Sequence, residues 1–346
     1  MITIKKGAKI AIIGDGGWGT TLAILLHKKG YKVSLWGPFP EYLQVLDKKR
    51  VNPKFLPGVS IPPGLRFSAN INTAVENAAL VVLAVPSHFL REVLARIKPE
   101  QISKKIILSA VKGIENDTLL RMSEVVDEVL GRQQKAVLSG PTISYEVAKG
   151  LPATCVVASE QECLAAVVQD VFMDKHFRVY TSTDVVGVEL GGALKNVIAI
   201  ACGISDGLGF GANTKAAILT RGLVEICRLG QAMGARTETF SGLSGLGDLV
   251  TTCISSQGRN RWVGEQIGRG KKLKNILSGM EMVAEGVRTV KSVVKLAEKY
   301  RVEMPISAKV YAVLYHNQNP REAVEELMVR QKKQEDIRRE AKRVHV

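Results

Sequence analysis

The rhythm of hydrophobic positions changes near residue 188. Before it, short apolar runs stand between glycine- and proline-rich breaks: Lys9–Ile13, Lys32–Trp36, Leu80–Val85, Lys105–Ser109 and Ala136–Ser139. Runs this short and this evenly apolar suit strands buried on both faces of a parallel sheet. Beyond it the pattern lengthens into amphipathic stretches such as Thr214–Gly230 and Thr289–Tyr300, with no alternation of strand type. Their spacing predicts helices. At 346 residues and 37.6 kDa the chain suits two domains, expected at 1–187 and 188–346.

The first run leads into Gly14-Asp15-Gly16-Gly17-Trp18-Gly19, then the helical pattern Thr20–Lys29 and a terminating Gly30. Strand, GxGxxG loop and helix in this order form a dinucleotide-binding turn. Gly14 permits the tight turn, Gly16 lets the backbone approach a pyrophosphate, and Gly19 lets helix pack on strand. The free N–H groups of the helix start receive the phosphates. The fold class expected is therefore α/β: an N-terminal Rossmann doubly wound parallel sheet followed by a C-terminal all-α domain. The second strand, where an acid ordinarily meets the adenosine ribose, instead runs into Gly37-Pro38-Phe39-Pro40. With neither that acid nor an arginine for a 2′-phosphate, the choice between NAD and NADP stays open. The remaining strands end in the loops Pro86–Phe89, Lys112–Glu115 and Gly140–Ser144, where such folds line their ligand crevice. Lys112 becomes a candidate for contact with substrate or cofactor. His88 could act as a base, but its position after a strand-end serine equally suits a helix cap.

In the helical half, Lys195 is the sole charge between Leu190 and Ser205, within an apolar, glycine-rich run. Burying an ammonium is expensive, so Lys195 either extends its stem toward water or is held for chemistry. Asp248 and Thr252, four residues apart, share a helical face. Asp248 suits a helix N-cap as well as a partner for a buried cation. The loop Ser255–Arg261 offers Arg259 and Asn260 together, a guanidinium and an amide suited to a phosphate oxyanion.

Charge and cysteine content narrow the choices. The net charge of +15 is spread out, with 23 Lys+Arg against 17 Asp+Glu in residues 1–187 and 25 against 16 thereafter. No basic-aromatic stripe or zinc-finger spacing accompanies it, so small anionic ligands fit better than nucleic acid. The mixed run Gln331–Arg343 is expected as a solvated helix face. Cys155, Cys163, Cys202, Cys227 and Cys253 form no CxxC pair and are expected as reduced core thiols in a cytoplasm. No metal site, membrane span or signal segment is expected.

The segments GDGGWGTTLA, NPKFLPGV, AVPSHF, VKGIE, LSGPT, GVELGGALKNVIAIACGISDGLGFGAN, GLSGLGDLVTTC, GRNR and AEGVRT follow one another over most of the chain. Together they resemble the bacterial-type NAD(P)-dependent glycerol-3-phosphate dehydrogenases. The resemblance implies reversible reduction of dihydroxyacetone phosphate to sn-glycerol 3-phosphate, the backbone of glycerophospholipids. It makes Lys195 the proton donor and acceptor, held by Asp248, with Asn196 supporting the site. It assigns Lys112 to cofactor and substrate, Arg259 and Asn260 to the substrate phosphate, and Arg259 also to the cofactor. Gly140, Thr142 and Ser144 would line the cleft. Gly14, Gly16, Gly17, Trp18 and Gly19 would hold the cofactor, with Val283 and Glu285 as distal contacts. Gly258 stands where the family often has serine, and Pro38 where a basic or polar residue often meets the ribose. In the implied mechanism burial lowers the Lys195 pKa, Lys112 acts the same way and Asp248 opposes them. The expected assembly is a homodimer through the helical domain. The alternative is a related two-domain β-hydroxyacid dehydrogenase acting on a carboxylate.

Overall fold

The computed structural model describes residues 3–280, 283–332 and 334–335. Most of the Gln331–Arg343 run lies outside them. The chain forms two compact units, one of residues 1–112 and 120–185, the other of 113–119 and 186–346. The short segment Gly113–Leu119, expected with the first domain, thus groups with the second. Ser292 Oγ donates to Asn116 Oδ1 at 2.6 Å, and Ile114 is buried in the second unit's core.

In the first unit the strands are β1 (Lys9–Ile13), β2 (Lys32–Trp36), β3 (Val51–Asn52), β4 (Leu56–Ser60), β5 (Arg66–Ser68), β6 (Ala78–Leu83), β7 (Ile106–Ser109), β8 (Gln134–Ser139), β9 (Ala153–Ala158) and β10 (Phe177–Ser182). Eight of them form one sheet in the order β10-β9-β8-β7-β6-β1-β2-β5, while β3 and β4 pair as a separate ribbon. Ile13 stands between Trp36 and Leu83 in parallel register. The sheet is not wholly parallel, because β9 runs antiparallel to β8. The connection between those two carries only the short helix Ser144–Ala148.

Alternate side chains of the central strands enter two separate cores. Ile10, Ile12, Leu80, Val82 and Leu108 pack into one; Ala11, Ile13, Val81, Leu83 and Ile107 pack into the other. That is why these runs are apolar at every position: both faces are covered. Strand β10 instead alternates, with Phe177 and Val179 buried and Arg178 and Tyr180 exposed. An edge position with one open face gave it no continuous apolar run to read.

The second unit is built round the helix Val185–Gly207. By length and composition alone this helix could cross a membrane, but its most apolar stretch is 94% buried inside the protein, as for the core helix of a globular unit. Its glycines are contact points. A Cβ on Gly203 would lie 1.9 Å from the Arg261 carbonyl oxygen, and one on Gly264 would lie 2.1 Å from that of Ile200. The helix Arg259–Gly268 therefore rests backbone to backbone on the central helix, which fixes the loop that precedes it. Four cysteines are buried, but Cys163 is exposed, so it is not the core thiol expected.

A buried acid ties two further elements together. The Glu225 carboxylate accepts from Ile306 N at 2.5 Å and from Ser307 N and Oγ at 3.1 and 2.9 Å, holding the N-terminus of the helix Pro305–Tyr315. Burial pushes its pKa up from 4.5 to about 7 against these donors and Arg228. The folded state therefore keeps a proton that the unfolded chain releases, so stability falls as pH rises from 4.5 to about 7. Denaturant unfolding at pH 5 and pH 8 should show this loss, and Glu225→Gln should flatten it. An unchanged pH slope in the variant would exclude Glu225 as its source.

Candidate active site

Two sets of candidate side chains emerge, one in each unit. In the first unit, β1 stops at Ile13 and the chain turns through Gly14 at φ +124° into the helix Gly17–Lys28. A Cβ on Gly14 would meet the Ala84 carbonyl oxygen at 2.6 Å, one on Gly17 that of Phe55 at 2.6 Å, and one on Gly19 that of Gly14 at 1.8 Å. Around Gly16 a Cβ would meet nothing within 4 Å. Gly16 is also the helix N-cap and supplies no side-chain cap. Close-packed glycines on three sides, an open approach at the fourth and an uncapped helix start fit a pyrophosphate. Trp18 Nε1 is buried without a hydrogen-bond partner among the described residues. Asn52 Nδ2 pins the loop through the Asp15 carbonyl and Thr20 Oγ1, both at 2.8 Å.

The loops after β7 and β8 meet through Lys112, whose Nζ donates to the Gly140 carbonyl at 3.0 Å. Thr142 Oγ1 donates to the same oxygen at 3.2 Å. Ser144 lies beside the glycine loop: its carbonyl accepts from Thr21 Oγ1 at 3.0 Å, and its Cβ is 3.8 Å from where a Gly17 Cβ would be. Lys112, Gly140 and Thr142 are thus gathered within the first unit, and Ser144 with the nucleotide loop. His88 packs against Phe89 with ring centroids 4.0 Å apart and the rings tilted by 44°.

In the second unit Lys195 does not snorkel. It is 6% exposed, and its Nζ forms an ion pair with Asp248 Oδ1 at 2.7 Å. The same ammonium donates to Thr252 Oγ1, which donates in turn to the Asp248 carbonyl at 2.7 Å. The chain reaches this geometry through a π-helical turn, Leu243–Gly247, that runs straight into the helix Asp248–Ile254. The N-cap is Gly247, and the Asp248 carboxylate turns to the lysine instead. The apolar loop expected before it is this π turn, seated where a Cβ on Gly191 would meet the Ser244 carbonyl oxygen at 2.4 Å.

Asn196, next to the lysine, accepts through Oδ1 from Asn260 Nδ2 at 2.9 Å, and Asn260 Oδ1 accepts from Gly286 N at 2.9 Å. This chain of amides joins the central helix, the Arg259 helix and the start of the helix Glu285–Lys299. Gly286 belongs to the same AEG segment as Glu285 but was not singled out by sequence. Its main-chain role leaves no chemical mark beyond a small residue. Arg259 is the first residue of its helix. Burial pulls its pKa down and Glu285 opposes this, while the guanidinium stays cationic. Val283 stands half-buried two residues before Glu285. Gly258 caps the Arg259 helix, and a Cβ there would lie 2.9 Å from the Thr252 carbonyl oxygen. A larger residue there would have to shift that backbone.

The second unit thus offers a buried, paired ammonium, an amide chain and the Arg259 guanidinium. Such a set can bind an anion and deliver a proton to oxygen. Among the described residues, no group of three or more His, Cys, Asp or Glu side chains is arranged for a metal ion.

Comparison with known proteins bears on both units. Residues 9–165 match the model for the NAD-dependent glycerol-3-phosphate dehydrogenase N-terminus, and residues 184–325 match that for the C-terminus. The glycerol-3-phosphate dehydrogenase [NAD(P)+] of Citrifermentans bemidjiense is 51% identical over 95% of this chain and 99% of its own. That of Syntrophotalea carbinolica is 50% identical over 94% and 99%. The crystal structure of glycerol-3-phosphate dehydrogenase from Coxiella burnetii superposes with a TM-score of 0.90 at 38% identity, covering 93% of this chain and 99% of that one.

Proposed function

Because the chain belongs to the NAD-dependent glycerol-3-phosphate dehydrogenase family, we propose that it catalyses the reversible NAD(P)H-dependent reduction of dihydroxyacetone phosphate to sn-glycerol 3-phosphate. The observation that carries the reading is the buried Lys195–Asp248 pair. Bound at the Gly14–Gly19 loop, NAD(P)H supplies the hydride for the substrate carbonyl carbon, C2. As charge develops on the C2 oxygen, the Lys195 ammonium stabilises it and gives it a proton. In the reverse direction the neutral amine takes the alcohol proton. Asp248 and Thr252 hold Nζ in position, so little reorganisation accompanies the transfer. Asn196, locked by Asn260, orients the substrate beside the lysine.

Arg259 and Asn260 bind the phosphate. A charge-assisted contact of this kind is worth about 1.5–3 kcal/mol. Arg259→Ala is therefore expected to raise KM for dihydroxyacetone phosphate about tenfold or more, with a smaller change in kcat. Steady-state kinetics would check this, and an unchanged KM would remove Arg259 from the phosphate site. Lys112, Gly140 and Thr142 contribute the substrate and cofactor contacts of the first unit, and Val283 and Glu285 the distal cofactor contacts. The product supplies the glycerol backbone of glycerophospholipids. The reading includes a cytoplasmic setting, supported by five cysteines without disulfides, and a homodimer through the helical unit.

A further inference from the structure

The strand that ordinarily ends in an acid does not end in one here. In folds of this type a carboxylate about 20 residues past the glycine loop receives the hydroxyls of the adenosine ribose. Here β2 finishes at Trp36 and continues into Gly37. An acid nevertheless reaches the same place from the neighbouring strand. Gly14 N donates to the Trp36 carbonyl at 3.0 Å, which sets the turn after β1 against the end of β2. A Cβ built on Gly37 would lie 2.3 Å from Asp15 Oδ2 and 2.5 Å from its Cγ. The Asp15 carboxylate therefore occupies the space that any side chain at 37 would need, and the two positions exclude each other. Asp15 is 7% exposed, and its Oδ2 is buried with no hydrogen-bond partner among the described residues. Its backbone is anchored by Asn52 and Thr20. Burial pushes its pKa up to about 6, opposed by its own backbone amide and by Lys54. Oδ2 thus has no donor among the described residues and gains from a ligand that brings one.

We propose that Asp15 reads the adenosine ribose in place of an acid at the end of β2, accepting hydroxyl donors from NAD(H) and disfavouring the 2′-phosphate of NADP(H). The proposal rests on the assignment of an NAD(P)-dependent dehydrogenase. The ribose of NADH offers two O–H donors to the carboxylate. In NADPH one of them becomes a phosphate carrying a charge of about −1.5 to −2, which a neighbouring carboxylate repels. Lys54 carries the opposing charge nearby, but it is exposed and screened by solvent.

Direct titration of NADH and NADPH, followed by cofactor fluorescence, tests this without turnover. The parent is expected to bind NADH about tenfold or more tightly than NADPH. Asp15→Asn keeps size and removes charge, and should shrink that ratio about tenfold, chiefly by tightening NADPH. Asp15→Ser serves the same purpose if the asparagine variant does not fold. The double variant Asp15→Ala/Gly37→Asp moves the acid into the vacated space on β2 and should restore the preference for NADH. A parent that favours NADPH, or a folded Asp15 variant whose ratio stays within about twofold of the parent, overturns the proposal while the dehydrogenase assignment stands. A parent that binds neither cofactor overturns both.

Discussion

Replacing Lys195 with methionine is expected to lower kcat for dihydroxyacetone phosphate reduction by about 10²–10⁴-fold, the range for loss of a positioned general acid. Methionine suits the position sterically, being unbranched and adaptable in a core, and the surrounding helix is apolar on most sides. What disappears is the one ammonium that Asp248 and Thr252 hold in place. Arginine at 195 would separate the two contributions of that ammonium. A guanidinium can pair with Asp248 but does not release a proton in proteins, so Lys195→Arg should remain as inactive as the methionine variant. Steady-state kinetics on protein with parent-like circular dichroism would check both. A methionine variant within about tenfold of the parent would remove Lys195 from the chemistry.

The second large effect concerns stability. The side chains of Lys195 and Asp248 are 8% and 3% exposed, so removing either leaves the other charge buried and unbalanced. Breaking such a pair costs about 3–5 kcal/mol, and Asp248→Asn is expected to fall in that range by denaturant unfolding. Removing both charges abolishes the imbalance. Lys195→Met/Asp248→Asn should therefore unfold at a higher denaturant concentration than the sum of the single effects predicts, with a coupling of about 1–3 kcal/mol. Strict additivity would mean that the pair contributes nothing as a unit.

The sequence carried some of this plainly. One lysine in an apolar helix implied either an escape to water or a role in chemistry, and the four-residue spacing put Asp248, a candidate partner, on one face with Thr252. The structure brings both to Nζ. Buried central strands were visible for a similar reason, since covering both faces makes every position apolar. Edge strand β10 and the short β5 lacked that signature, and β9 mixes buried with half-buried positions. The amide chain from Asn196 through Asn260 to Gly286 joins three distant segments. Its last member acts through a main-chain N–H that any residue carries, so no side-chain pattern could announce it. The same holds for Asp15 and Gly37. One stands inside the GxGxxG loop and the other where an acid is missing, and only the fold sets them in one space.

The assignment as a whole turns on substrate choice. NADH oxidation should be compared with dihydroxyacetone phosphate, unphosphorylated dihydroxyacetone and a β-keto acid in turn. The expected result is a kcat/KM for dihydroxyacetone phosphate about a hundredfold or more above either of the others, the discrimination available when a charged phosphate site is left unfilled. Equal or faster turnover of the β-keto acid would contradict it.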